Sequence, residues 1–319
     1  MANATLLDIQ KLNGNDAAVG LIEESIKYAP EIDVLPMRTI RGNTYKTGIR
    51  TGLPSTGFRT ANDGFDPSKS TFTDKIVQAY IFGGAIEADK AVADAYEDGA
   101  EAWQTVEAMG VAESAMRSLG SQVFYGVTAD DKGFPGLKAA TIFGTETRNG
   151  DPLTVDATGS TAGTASSVYA VKFGMQDVTL IGGMNTAFDL SDFRVQNVDK
   201  NSKTMEAYVA NLTSWIGMQV GNENCVRRIA NLTAQSGKTL TDTLLAKLLD
   251  AFPVGYMPDA IFMSRRSRTQ LQTSRSVTLF GQGRNRPDQS NIAPIPTEYD
   301  GVPIIATDSI LNTDAIESA

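Results

Sequence analysis

Nucleophiles, general bases and metal ligands are what a catalytic site is made from, and this chain of 319 residues is short of them. It has no histidine and a single cysteine, Cys225. Without imidazole there is no Ser-His or Cys-His pairing, and one thiol forms neither an internal disulfide nor a thiolate zinc cluster. Ser236-Gly237-Lys238-Thr239 has the ending of a phosphate-binding loop, but that motif needs a glycine five residues before Gly237, where Leu232 stands. Asp130-Asp131 and Asp189 with Asp192 lack the ligand count of a calcium loop and read as acidic turns. No metal and no cofactor is expected.

Six arginines, Arg265, Arg266, Arg268, Arg275, Arg284 and Arg286, lie close together with no acidic residue among them. A nucleic-acid stripe is one reading. Only Phe280 within the stretch can stack on a base, however, and the chain has 37 acidic against 28 basic side chains, a net charge of −9. The other reading is a basic surface that is solvated or faces another subunit.

The elements that position these residues follow from periodicity. Two thin amphipathic helices are expected before Pro30. Residues 41–75 contain only seven apolar side chains, too few for a core, and are rich in turn residues and threonine. They read as a long two-stranded excursion with a broad tip, the alternative being a structureless loop. Residues 100–125 read as a long helix with Ala102, Val106, Met109, Ala112, Met116, Leu119 and Val123 on its buried face. Residues 144–167, crowded with Ser, Thr and Gly, suggest a surface connection. Strands are expected at 178–181, 193–198, 204–209 and 301–306, with Tyr208, Trp215 and Ile216 as sheet core, and a Leu-striped helix at 241–252. The amino terminus lacks the basic flank and apolar run of a signal peptide, and no stretch is apolar enough to span a membrane.

Four stretches carry a resemblance. Residues 57–64 with Ser68-Lys69-Ser70 are similar to the extended loop of phage coats. Gln122-Val123-Phe124-Tyr125-Gly126 leading to Gly133-Phe134-Pro135-Gly136-Leu137 resembles the exit from their spine helix. Trp215-Ile216-Gly217-Met218 with residues 226–231 resembles a strand pair of their axial domain, and Gly301-Val302-Pro303-Ile304 through Leu311 resembles their final strand. In this order they resemble the major capsid proteins of tailed bacteriophages, the coat fold first described for phage Hong Kong 97.

The resemblance implies an α+β fold with an N-terminal arm (1–35), an extended hairpin loop (36–80), a peripheral domain with a spine helix (81–150), an axial domain (151–293) and a return strand (294–319). It implies a non-catalytic coat subunit that assembles with itself into hexamers and pentamers of an icosahedral head, made in a bacterial cytoplasm and kept in the virion. Implied partners are a separate scaffolding protein, since only about 35 residues precede the loop, a portal protein, a decoration protein in some members, and packaged double-stranded DNA held without sequence-specific contact. No membrane is involved. The rivals are an encapsulin-type nanocompartment shell and a monomeric nucleotide-binding enzyme built on Gly237-Lys238-Thr239. Residues 41–75 carry six basic against three acidic side chains, whereas residues 86–113 carry eight acidic against one basic. Arg41, Lys46, Arg50 and Arg59, with Leu53 and Phe58 at the tip, are therefore expected to meet Glu97, Asp98, Glu101 and Glu107 of a neighbour. Arg265, Arg266 and Arg268 complete the candidate contacts.

Overall fold

A computed structural model of the chain describes residues 29–141, 147–148, 151–185, 189–200, 202–281 and 293–318. The two amphipathic helices expected before Pro30 lie outside the described residues. In chain order come helix α1 (Glu31–Val34), strands β1 (Met37–Thr39), β2 (Thr44–Gly52), β3 (Thr71–Gln78) and β4 (Tyr80–Asp89), and the long helix α2 (Ala100–Tyr125). The second half holds β5 (Thr154–Asp156), β6 (Ser166–Val171), β7 (Val178–Gly182), β8 (Arg194–Lys200), β9 (Lys203–Val220) and β10 (Val226–Leu232). Helix α3 (Asp242–Asp250), β11 (Ala260–Met263), α4 (Arg265–Gly281) and β12 (Val302–Ala306) follow.

One sheet is built around β9, which runs well past the 204–209 expected for it. Along one edge β4 pairs antiparallel, from Ala207 opposite Asp89 to Ile216 opposite Tyr80. Along the other edge lie β8, the two-residue strand Asp189–Leu190 and β7, with β1 added parallel to β7. The expected β8–β9 hairpin is present, and its pairing continues to Lys200 opposite Lys203. The other sheet has the order β12, β11, β6, β10, β5, extended beyond β12 by Glu298–Tyr299. Every residue of β6, β10 and β11 is buried. Alternation explains how: Tyr169, Val171 and Phe262 point into one core, Val168, Ala170, Ile261 and Met263 into another.

The first core is wedged between the sheets by the C-terminal half of α2, where Phe124 packs against Tyr169 and Phe262 at ring distances of 5.3 and 5.7 Å. The second lies under α3, where Thr241 caps the helix and Leu245, Leu248 and Leu249 are buried. A third, smaller cluster joins Trp103 of α2 to Ile86, Ala88 and Ala210.

Two expectations are corrected. Helix α2 has the bounds foreseen, but Met109, Ala112 and Met116 are exposed, because its first half touches the body chiefly through Trp103 while its second half is enclosed. The segment expected as a surface connection contains β5, with Leu153 and Thr154 buried; parallel pairing to β10 recruits it as an edge strand without an apolar run. Residues 151–293 supply strands to both sheets.

Candidate subunit-interaction surfaces

Strands β2 and β3 form a hairpin from Thr44 opposite Gln78 to Gly52 opposite Thr71, with a register shift near Gly52. It is a sheet of two strands. Because neighbouring side chains alternate between faces, Lys46, Arg50, Phe72, Asp74 and Ile76 share one face. Phe72 and Ile76 are 65% and 69% exposed there. Lys46 pairs with Asp74 at 2.6 Å, and the Arg50 guanidinium stands 5.5 Å from the Phe72 ring. At the tip Leu53 is 76% exposed, Phe58 and Phe65 are exposed, and Arg59 donates to the Asp63 carbonyl at 2.5 Å with its guanidinium 5.6 Å from Phe65. Arg41 is exposed just before β2.

The hairpin root is held tightly. The Gln219 side-chain oxygen accepts from Arg38 at 3.0 Å and from the Tyr45 hydroxyl, while its amide donates to the Met175 carbonyl at 2.9 Å. Arg38 also lies 4.5 Å from the Tyr45 ring, and Lys75 donates to the Val220 carbonyl. Between β3 and β4 only Ala79 intervenes, fully buried, its amide donating to the Asn43 carbonyl at 2.7 Å. A Cβ at Gly217 would come within 3.2 Å of the Ala79 Cα and one at Gly183 within 2.8 Å of its Cβ, so glycine is required at both places.

The acidic candidates lie elsewhere. Glu97 and Asp98 are exposed in the corner before α2, Glu101 is exposed in its first turn, and Glu107 is half-buried. The arginine cluster divides. Arg265 is exposed, 3.6 Å from Asp308, and lines a groove together with Arg268. Arg266 faces inward, and burial lowers its pKa. Arg284 and Arg286 lie outside the described residues.

The Gly237-Lys238-Thr239 turn forms no phosphate cradle: Lys238 bonds the Thr158 hydroxyl, and Leu232 ends β10, buried. Asp130 accepts from the Lys132 amide as a turn residue does. Among the described residues no group of three acidic, cysteine or histidine side chains is placed to hold a metal. Cys225 is buried, which pushes its thiol up to about 11, away from reactivity.

Three polar residues at structural joints escaped sequence reasoning. Arg228 in β10 is buried and chelated by Glu317 at 2.8 and 2.9 Å, with Lys138 on the same carboxylate at 2.8 Å. Burial opposes the Glu317 charge, but the Arg228 bonds prevail and hold its pKa below the usual value. Glu31 of α1 is buried with one carboxylate oxygen accepting from the Thr307 hydroxyl at 2.7 Å, and burial raises its pKa. Gln219 is the third. Two adjacent arginines, with Asn231 the other polar residue, in the fully buried Val226–Leu232 are the signal that was available.

Comparison with known proteins gives two kinds of match. The family described as "Major capsid protein GP7" matches residues 19–317. No curated protein matches. A chain in the structure of bacteriophage Epsilon15 aligns with 100% of this chain and 98% of its own at 19% identity, with a TM-score of 0.70. A chain of the bacteriophage JBD30 capsid aligns with 97% of this chain and 99% of its own at 11% identity, with a TM-score of 0.52. An encapsulin of Synechococcus elongatus covers 74% of this chain and 98% of its own at 10% identity, and its TM-score of 0.45 is too low to carry an argument. At these identities the likeness shows the fold.

Proposed function

Since the chain belongs to the major capsid protein GP7 family, viral shell proteins with the Hong Kong 97-type α+β fold and a structural role, we propose that it builds an icosahedral phage head. Hexamers and pentamers of this subunit enclose double-stranded DNA, and binding between copies is the whole of the mechanism. A separate scaffolding protein, a portal protein and a decoration protein are its partners in this reading, each open to a co-purification test.

The observation that supports the reading best is the hairpin, which beyond its root exposes Phe72 and Ile76 on strand β3 and Leu53, Phe58 and Phe65 at the tip. Such patches and open strand edges are hazards on a monomer and assets at an interface. In the shell the hairpin lies over a neighbouring α2, its apolar residues against Met109 and Met116, its Arg41, Lys46, Arg50 and Arg59 toward Glu97, Asp98, Glu101 and Glu107. Fully burying one large apolar side chain contributes about 1.5–3 kcal/mol, whereas an exposed ion pair adds about 0–1 kcal/mol. Apolar contact therefore supplies the affinity and charge supplies the register. Replacing residues 53–70 by a short Gly-Ser link should leave a folded subunit that forms no shells by electron microscopy. Shells at wild-type yield would refute the reading. Nuclease-protected DNA in purified shells separates a phage head from a nanocompartment filled with protein.

A further inference from the structure

Helix α4 sorts its arginines into two kinds. Arg266 donates to the backbone carbonyls of Thr164, Leu232 and Asn312 at 2.8, 3.2 and 3.3 Å, and Arg275 chelates Asp242 at 2.7 to 3.1 Å. Arg265 and Arg268, three residues apart and so on one helix face, do neither. The Arg265 side chain is 74% exposed and 3.6 Å from Asp308, and among the described residues Arg268 makes no ion pair. Both line a groove of about 380 Å³ with Pro30, Val34, Ile304 and Ile305 and with one carboxylate, Asp308, so that the two guanidiniums outnumber it. Arg265 also borders a larger hollow of about 980 Å³ whose lining includes Ser236, Thr239, Thr269 and Thr273 and no carboxylate.

Resting on the capsid reading, we propose that the Arg265–Arg268 groove is a socket for a carboxylate-bearing segment of a second copy of the chain. The groove joins cationic walls to an apolar lining, which suits a short peptide segment whose acidic side chain reaches the guanidiniums while its neighbours rest on Ile304, Ile305 and Val34. A second copy supplies such segments in abundance, since acidic side chains outnumber basic ones by 37 to 28. Guanidinium forks match carboxylates geometrically as well as by charge. Duplex DNA fits less well. Two arginines, one of them shared with Asp308, neutralise few phosphates, and an apolar lining offers a phosphate backbone nothing.

The test places a photo-crosslinking residue at position 265 in shells assembled from isotope-labelled and unlabelled subunits. Crosslinks that join copies through an Asp- or Glu-bearing peptide are expected. Crosslinks confined to one chain, or to DNA, overturn the socket. In parallel, Arg265→Glu with Arg268→Glu should slow shell assembly about tenfold or more through like-charge contact, and Arg265→Lys should assemble nearly normally. Assembly of the double reversal at the wild-type rate overturns the proposal. Should the double variant fail to fold, Arg265→Glu alone, at an exposed side chain, replaces it. If wild-type subunits form no shells the capsid reading itself fails, while wild-type shells without joining crosslinks remove the socket only.

Discussion

Two carboxylates in this chain respond to pH in opposite directions, and the cause in each case is what surrounds them. Glu31 is buried between α1, Gly120 of α2 and the Thr307–Ser309 turn, where hydroxyls are its partners and Asp308 adds repulsion. Its pKa is raised above 4.5 when folded, so its contribution is greatest below the unfolded value and declines as pH rises through the raised one. Glu317 is held below 4.5, so its contribution is present at neutral pH and is lost as pH falls through the lowered value. Glu31→Gln is therefore expected to raise the thermal midpoint at pH 8 by about 1–2 °C, the shift that about 1 kcal/mol gives a chain of this length, with a smaller gain at pH 5. Glu317→Ala strands a buried guanidinium and should cost about 3–5 kcal/mol, measured by denaturant unfolding at pH 7. Gly120→Ala offers a further check. Helix propensity alone favours it by about 1 kcal/mol, yet its Cβ would overlap the Glu31 carboxylate and the Ser309 hydroxyl, so net destabilisation is expected.

Elements were legible where one face is apolar and the other wet. Helix α3 with its leucine stripe and β12 are of that kind, whereas the β2–β3 excursion was legible from its turn residues, its threonines and its shortage of apolar side chains. Helix α2 was legible in extent, because its apolar positions recur every three or four residues, but its exposure was not. From Leu119 to Tyr125 almost every residue is buried, so periodicity carries no information there, whereas Met109 and Met116 continue the stripe into solvent. Their exposure could not be read from the chain alone, since an exposed apolar residue at helical spacing looks the same in sequence as a buried one. Leu119→Asp should abolish soluble folded subunit by placing an unpaired charge in the main core. Met109→Ser with Met116→Ser should leave the melting curve within about 0.5 kcal/mol of wild type, as exposed substitutions do, and reduce shell yield. The hairpin was legible as a two-stranded excursion, and its pairing is observed from Thr44 opposite Gln78 onward. The Gln219 network at its root was hidden, because it joins residues up to 181 positions apart.

At the scale of the whole molecule, the proposed shell contact is where the charge separation between hairpin and acidic corner would act. Arg41→Glu with Arg50→Glu and Arg59→Glu is expected to block capsomer formation and leave the subunit folded, because all three side chains are exposed and only the contacts of Arg50 with Phe72 and of Arg59 with Phe65 and Asp63 are lost. Raising salt should weaken early assembly as the screening length falls below about 8–10 Å, and both effects are readable by light scattering. Assembly of the triple variant at the wild-type rate and salt dependence would remove the electrostatic account and leave the apolar one. One consequence is mechanical. Strand β3 passes through Ala79 straight into β4, which is paired with β9 over ten residues, so the hairpin is a cantilever whose fixed end is the body's own sheet. A pull at its tip along the strand loads those ten pairs together in shear. A load shared in that way resists far better than one that unzips pairs singly, and a shell strained from within by its contents would draw on that stiffness at every subunit.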